Sequence, residues 1–413
     1  MKAVLQRLKP SQKEQQQFTR VSRDFLEKLN AKLKEAKAIL GGSGAKGTWL
    51  AGNYDVDIFV VYNFKKYAAK SAELSHLLEP VLRKSFPGKK ITCLHGSRDY
   101  FQLEYQSIQF EIVPILNIKK AEQALNITDI SPLHAVWVNK HTKKVKDDIL
   151  LAKQFCKVQG MYGAESHIQG FSGYALEILI AHYGSFEKLL RAARRWKVLE
   201  VIDISQHYPP GKALTELNQS KLQSPLVVID PIDKRRNASA ALSLEKFLAF
   251  KKAAQEYLQK PGEQWFEKKE ISFSYLQTLQ GKHNLVFISV DPLAGKKDVV
   301  GTKLLKTYLY LQKKLNPFLP LKSGWEWNGR AIFYFILEKK ELAPEEIRSG
   351  PPMNLKHFVD DFKKKNQATF VKEGRIYARI PVAHPKLKDF IQRALRDAYV
   401  KERIRRVHDI KVI

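Results

Sequence analysis

The stretch that most restricts this chain is AKAILGGSGAKGTWLAGNYDVDIFVVYNF, residues 36–64. A short apolar strand leads into a glycine-rich turn, and a strongly β-branched strand follows. Asp55 and Asp57 stand two apart in that second strand, so the pleat directs both side chains to one face. Two carboxylates held together repel unless a cation lies between them. Mg²⁺ takes oxygen ligands and keeps positions for water and phosphate, which suits such a pair. Upstream, Gly42 and Ser43 can offer backbone N–H groups and a hydroxyl to phosphate oxygens. An isolated Asp-Val-Asp on a half-buried strand ordinarily faces solvent; the Gly-Ser turn eleven residues ahead of it sets this pair apart.

Around that stretch the chain reads as α+β and multidomain. A helix is expected from Ser11 to about Glu35, where Phe18, Val21, Phe25, Leu29 and Leu33 recur at three and four. Two further strands, DYFQLEYQ and SIQFEIVPIL, meet at the two-residue turn Gln106–Ser107. The second of them carries Glu111, chosen as a third carboxylate because its strand can lie beside the one with Asp55 and Asp57; Glu104 on the preceding strand is the rival. Beyond Pro132 the pattern turns helical. Ser131 reads as an N-cap, helices follow over 147–158 and 243–259, and Ser172 and Ser185 stand as caps for two more. Leu151 and Phe155 face a core, which turns Lys153 away from that stripe. From His283 strands and helices alternate, ending in a basic helix from about Pro385. The domains expected are 1–130, 131–260 and 261–413, consistent with a length of 413 residues at roughly 150 per domain.

Charge narrows the partner. Lys and Arg outnumber Asp and Glu by 71 to 42, a formal +29, which makes most sense against a polyanion, nucleic acid first. The basic residues are scattered along the whole chain instead of flanking an apolar anchor, which argues against a membrane partner. Ample apolar residues, 44 %, exclude a disordered basic tail. Cys93 and Cys156 have no metal-site spacing, so neither a disulfide framework nor zinc is expected. The opening residues lack a signal-peptide core and no run reaches 18 apolar residues, so a soluble, cytoplasmic protein is expected.

The Gly-Ser turn followed by Asp-Val-Asp-Ile resembles the signature of the DNA polymerase β-like nucleotidyltransferases. With it, in order, come HIQGFSGYALEILIAHYGSF, RAARRW and VVIDPIDKRRNASAALS, and this set resembles the archaeal-type, class I CCA-adding enzymes, strongly over about residues 40–260 and loosely beyond. The resemblance implies a nucleotidyltransferase head, an all-helical neck and a small α+β body with a shortened tail. It implies addition of C, C and A to the 3′ end of tRNA from CTP and ATP, without template and with pyrophosphate released. By similarity, Gly42 and Ser43 would hold triphosphate oxygens, and Asp55, Asp57 and Glu111 the Mg²⁺ ions, although the family's third carboxylate is aspartate. His134, Lys153 and Tyr162 would hold phosphates and ribose, and Arg236 would lie near the incoming base. Arg194 and Arg195 could grip the acceptor stem, while Arg235 and Asp233 could form a structural ion pair. The resemblance leaves room for a homodimer. Two other readings stand beside it: a relative with partial output (CC-adding, A-adding, or an oligo- or poly(A) polymerase), and a catalytically silent RNA-binding protein.

Overall fold

The computed structural model describes all residues except 53, 54, 269 and 270; the last two residues of the spacer ahead of Asp55 therefore lie outside the described residues. The chain forms two compact units, 1–268 and 269–413.

The first unit holds two large hydrophobic cores and a small one of Ala213, Leu217, Val227 and Ile229. One of the large cores lies under a five-stranded sheet of β1 (Ala36–Leu40), β2 (Asp55–Tyr62), β3 (Ile91–Leu94), β4 (Tyr100–Tyr105) and β5 (Ile108–Leu116), in the order β1-β2-β5-β4-β3. β2 and β5 run parallel and the other pairs antiparallel. Val56, Ile58 and Val60 alternate onto one face with Phe110, Ile112, Phe101 and Leu103, and the helices Gln12–Asn30 and Leu74–Ser85 cover that face. Phe25 stacks on Phe110 at 4.0 Å and on Phe86 at 4.4 Å. Ser11 and Glu14 form a reciprocal capping box at the start of the first helix. That helix stops at Asn30, five residues short of expectation, because the Asn30 amide pairs with the backbone of Ala38 in β1, donating at 3.1 Å and accepting at 2.8 Å. The β4–β5 turn is as read, and Gln106 and Ser107 both take positive φ, +48° and +62°, as a two-residue hairpin of matching twist demands.

The second core belongs to the helices Ser131–His141, Lys146–Val158, Gly173–Tyr183, Phe186–Ala193 and Leu244–Gln259, joined by Val4 and Leu8 of the helix Lys2–Leu8. Ser172 and Ser185 cap their helices as expected, and Ser243, read as the first residue of its helix, proves to be its N-cap. Ser131 does not: it is already helical, continuing a 3₁₀ turn that Asn126 starts by accepting the Thr128 N–H at 3.1 Å. This region is also not all-helical. β6 (Glu200–Ile202) and β7 (Leu226–Val228) pair in parallel, since the apolar run Leu226–Val227–Val228 is fully buried and needs ladder partners.

In the second unit β8 (Asn284–Asp291), β9 (Pro320–Asn328), β10 (Arg330–Leu337), β11 (Glu345–Pro352), β12 (Thr369–Lys372), β13 (Arg375–Pro381) and β14 (Arg406–Val412) make two antiparallel sheets, β14-β8-β10-β9 and β11-β13-β12. The helices Lys297–Lys314 and Leu387–Leu395 pack on the larger sheet. The expected closing helix ends early: after a short turn of helix at 398–401 the chain becomes β14, which pairs β8 and covers its edge. β11 and the helix Phe273–Gln280 also escape a reading of periodicity, β11 because EEIRSGPP is charged and proline-ended.

Gln106→Asn combined with Ser107→Gly relieves two left-handed side-chain residues and raises stability by about 1 kcal/mol, read as a higher urea midpoint at unchanged slope.

Candidate active site

Strand register decides which carboxylates meet. Asp57 lies opposite Glu111 and Asp55 opposite Gln109 on the neighbouring β5, all on the sheet face away from the aromatic core. Glu104 pairs Gln109 from β4, so it stands two strands from Asp55. Glu111 is therefore the acid one strand spacing, about 4.8 Å, from Asp57. Its Oε1 accepts a hydrogen bond from Gln102 Nε2 at 2.7 Å. Turned that way, it leaves no closed cluster of three acidic, histidine or cysteine side chains among the described residues.

Gly42 explains itself against Asp57. Its φ is +52°, and a Cβ there would sit 1.6 Å from Asp57 Oδ2, so only glycine lets the turn close over the carboxylate. The neighbouring Gly41 N–H donates to the Asp57 carbonyl at 2.7 Å. Ser43 follows on a short helix, Gly42–Lys46, half-buried. Burial, then the charges of Glu111 and, less, Asp55, push the Asp57 carboxyl up to about 6, against the pull of Lys46. Three oxygen donors on one face, one of them reluctant to ionise, fit a divalent cation: its charge would offset their repulsion.

Behind the turn lies a buried ion cluster. Glu177, on the helix Gly173–Tyr183, accepts from Lys46 at 2.7 Å, from Lys153 at 2.8 Å and from the Thr48 hydroxyl at 2.7 Å. Lys153 also donates to the Thr48 carbonyl and hydroxyl, both at 3.0 Å. Burial opposes ionisation of Glu177, yet the two lysines hold its carboxyl down at about 2. Lys146 donates to the Lys46 carbonyl at 2.7 Å and Asn139 to the Ala45 carbonyl at 3.0 Å. Four side chains from the second core's helices thus grip the glycine turn. Lys153 does not reach outward as expected: its side chain is 4 % exposed, because its helix is buried on more than one stripe, Ile149 to Lys153 without a break.

A second buried carboxylate organises the other wall. Asp230 accepts from Arg236 Nη1 at 2.6 Å, the Tyr174 hydroxyl at 3.0 Å and the Ile232 N–H at 2.9 Å. His134 Nε2 lies 2.9 Å from Asp230 Oδ2, off the line of a well-formed hydrogen bond, and its ring stacks on Tyr174 at 4.1 Å. Burial opposes the charge of Asp230, but His134 and Arg236 keep its carboxyl well below the usual range. Burial pushes His134 the other way, down, against the pull of Asp230. Lys46 lies 5.5 Å and Arg236 5.7 Å from the Tyr174 ring centroid, which joins this cluster to the first. The Tyr162 hydroxyl abuts Gly173, and burial pushes its phenol up, with Glu177 and Asp57 adding to the rise.

His134, Arg236, Tyr162, Lys153 and the turn residues are thus brought together, whereas Arg194 and Arg195 are exposed at the end of the helix Phe186–Ala193 beside the buried Trp196. Arg235 pairs with Asp233 at 2.8 Å. Sequence reasoning passed over Lys46, Glu177, Tyr174 and Asp230. A signal existed for the two acids: each is a lone carboxylate inside an apolar run, YALEILI and VVIDP, where burial requires a partner.

Comparison with known proteins places the chain in a family. The nucleotidyltransferase domain family matches residues 22–128, and the family described as tRNA nucleotidyltransferase, second domain, matches 147–267. The chain is 30 % identical to the CCA-adding enzyme of Methanosarcina acetivorans over 95 % of its own length and 88 % of that protein. It is 35 % identical to that of Nanoarchaeum equitans over 83 % of each, and 30 % to that of Saccharolobus shibatae over 91 % and 87 %. Among solved structures, Cid1, an RNA terminal uridylyl transferase, superposes with a TM-score of 0.51 at 13 % identity, covering 65 % of this chain and 97 % of that one, which shows a shared nucleotidyltransferase fold. The chain is a nucleotidyltransferase, a class of enzyme that generally uses divalent metal ions. It belongs to the CCA-adding enzymes, which are tRNA nucleotidyltransferases. No described helix is long and apolar enough to cross a membrane.

Because the folded-state carboxyl of Asp57 is raised to about 6, its ionisation costs stability as pH climbs from about 4 to 6, and the cost persists above that. Asp57→Asn therefore raises stability by about 3 kcal/mol at pH 7 and leaves it unchanged at pH 3, measured by denaturant unfolding. Glu177→Ala strands the buried Lys153 and the half-buried Lys46 and lowers stability by about 3–5 kcal/mol in the same assay.

Proposed function

We propose that the chain adds C, C and A in turn to the 3′ end of tRNA from CTP and ATP, with Mg²⁺ held by Asp55, Asp57 and Glu111. The observation that carries this is the row Asp55–Asp57–Glu111, on adjacent parallel strands beneath a glycine turn that closes on Asp57. In each transfer the 3′ oxygen of the RNA bonds to the α-phosphorus of the nucleotide, and the bond to pyrophosphate breaks. Bound metal would supply charge to the oxygens that enter and leave. Glu111 would accept the proton of the 3′ hydroxyl, swinging away from Gln102 to do so. Ser43 and Lys46 would receive triphosphate oxygens. His134, Tyr162 and Arg236 would orient ribose, phosphate and base: Arg236 commits Nη1 to Asp230 and keeps its other donors for a base edge. Lys153, held by Glu177 and Thr48, serves phosphate binding by fixing the turn. We assign 1–130 to a catalytic head, 131–260 to a neck, whose Arg194 and Arg195 grip the acceptor stem, and 261–413 to an RNA-binding body.

The test supplies tRNA transcripts ending before the first C, after CC and after CCA, with CTP, ATP or both and Mg²⁺, and sequences the products. Both incomplete ends are completed to CCA and the complete end is left alone; long A-tails or failure on either incomplete end contradict the reading. Replacing Asp55 and Asp57 by alanine lowers turnover by at least about 10³-fold with tRNA affinity within about twofold. Equal loss of binding would contradict the assigned roles.

A further inference from the structure

The smaller sheet of the second unit has one packed face and one open one. Ile376 and Ala378 of β13 are fully buried, and Val359 and Phe362 of the helix Lys356–Lys365 lie on their side, with Phe362 against Gly350. Alternation along the strand turns Arg375, Tyr377 and Arg379 to the opposite face. Register sets Phe370 of β12 beside Tyr377 and Ile347 of β11 beside Arg379. There the rings of Phe370 and Tyr377 stack at 5.5 Å with 20° between their planes, and the Arg379 guanidinium lies 5.5 Å from the Phe370 ring centroid. Ile347 is 65 % exposed, and neither it nor either ring joins the unit's hydrophobic cores. Lys372 and Arg375 flank the rings, both exposed. The acids beside this group are Glu345, 3.8 Å from Arg379, and Glu373, 3.7 Å from Lys372, and Arg375 Nη1 donates to the Gly350 carbonyl at 2.7 Å.

Paired aromatic rings on an open antiparallel sheet, edged by cations, have the chemistry of a surface for an unstacked base. A base gains a π-face below it while its phosphates meet Lys372, Arg375 and Arg379. A protein partner fits less well, because the apolar area is small and three cations against two acids leave a basic surplus that repels most basic surfaces. We propose that the open face of β11-β13-β12 is a stacking platform for an unpaired base of the tRNA, with Phe370 and Tyr377 as the stacking pair and Arg379 as the phosphate contact. This rests on the reading that tRNA is the substrate.

The test compares wild type with Phe370→Ala/Tyr377→Ala in binding a tRNA transcript lacking its CCA end and a fully paired RNA duplex of equal length. The double variant is expected to bind the transcript roughly tenfold more weakly and the duplex within about twofold, with unchanged thermal unfolding, while Phe370→Trp/Tyr377→Phe binds like wild type. Quenching of Trp fluorescence in Phe370→Trp on adding the transcript, beyond that of wild type, supports stacking directly. Unchanged transcript affinity in the double variant, equal loss on both RNAs, or loss only of self-association overturns the platform. Nucleotide incorporation by wild type is measured in parallel: its absence would sink the CCA reading, whereas its presence with indifferent variants sinks the platform alone.

Discussion

Glu177 is the pivot of the catalytic unit. A carboxylate with no solvent exposure, it is tolerable only because Lys46, Lys153 and Thr48 all donate to it. Lys46 belongs to the glycine turn beside the sheet, whereas Lys153 and Glu177 belong to helices of the second core. One buried charge thereby ties the turn to the helices that line the opposite wall. Breaking it leaves uncompensated charge on both sides, so the turn, and with it the approach of Gly42 to Asp57, is fixed by a constraint stronger than local loop preference.

The site then combines two opposite electrostatic conditions. On the sheet face, acids crowd without enough counter-charge, and Asp57 resists ionisation. On the helical wall the acids have partners: Glu177 is held ionised by two lysines, and Asp230 by His134 and Arg236, of which the arginine is the fixed cation. A metal–triphosphate complex is cationic at one end and anionic at the other, and such a gradient suits it. Tyr174 joins the two acids of the wall, donating to Asp230, stacking on His134 and lying under Lys46 and Arg236.

Much of this was legible in the residues. The period-two pattern of β2 and β5 set the carboxylates on one face, and Ser172, Ser185 and Ser243 marked helix starts correctly. The two-residue turn at Gln106–Ser107 followed from the strands on either side of it, although neither residue favours positive φ. Misreadings arose where long-range partners overrode local preference. Asn30 ends its helix to pair with β1, and residues 406–412, part of a sequence with helical character, are recruited by the edge of β8. Lys153 was read outward because two apolar neighbours suggested a single stripe, while its helix is enclosed on several sides.

The sequence by itself determined which chemistry was at hand: two acids two apart on a β-branched strand, a glycine-serine turn before them, and a set of ordered motifs that mark the family. Those depend on residue type and spacing, which local geometry translates directly. Only the tertiary structure decided that Glu111 and not Glu104 neighbours Asp57, that Lys153 is a buried counter-ion, and that Asp230 joins His134 to Arg236. Those facts depend on strand register and on burial, which residues far apart in the chain impose on one another when they exclude water together.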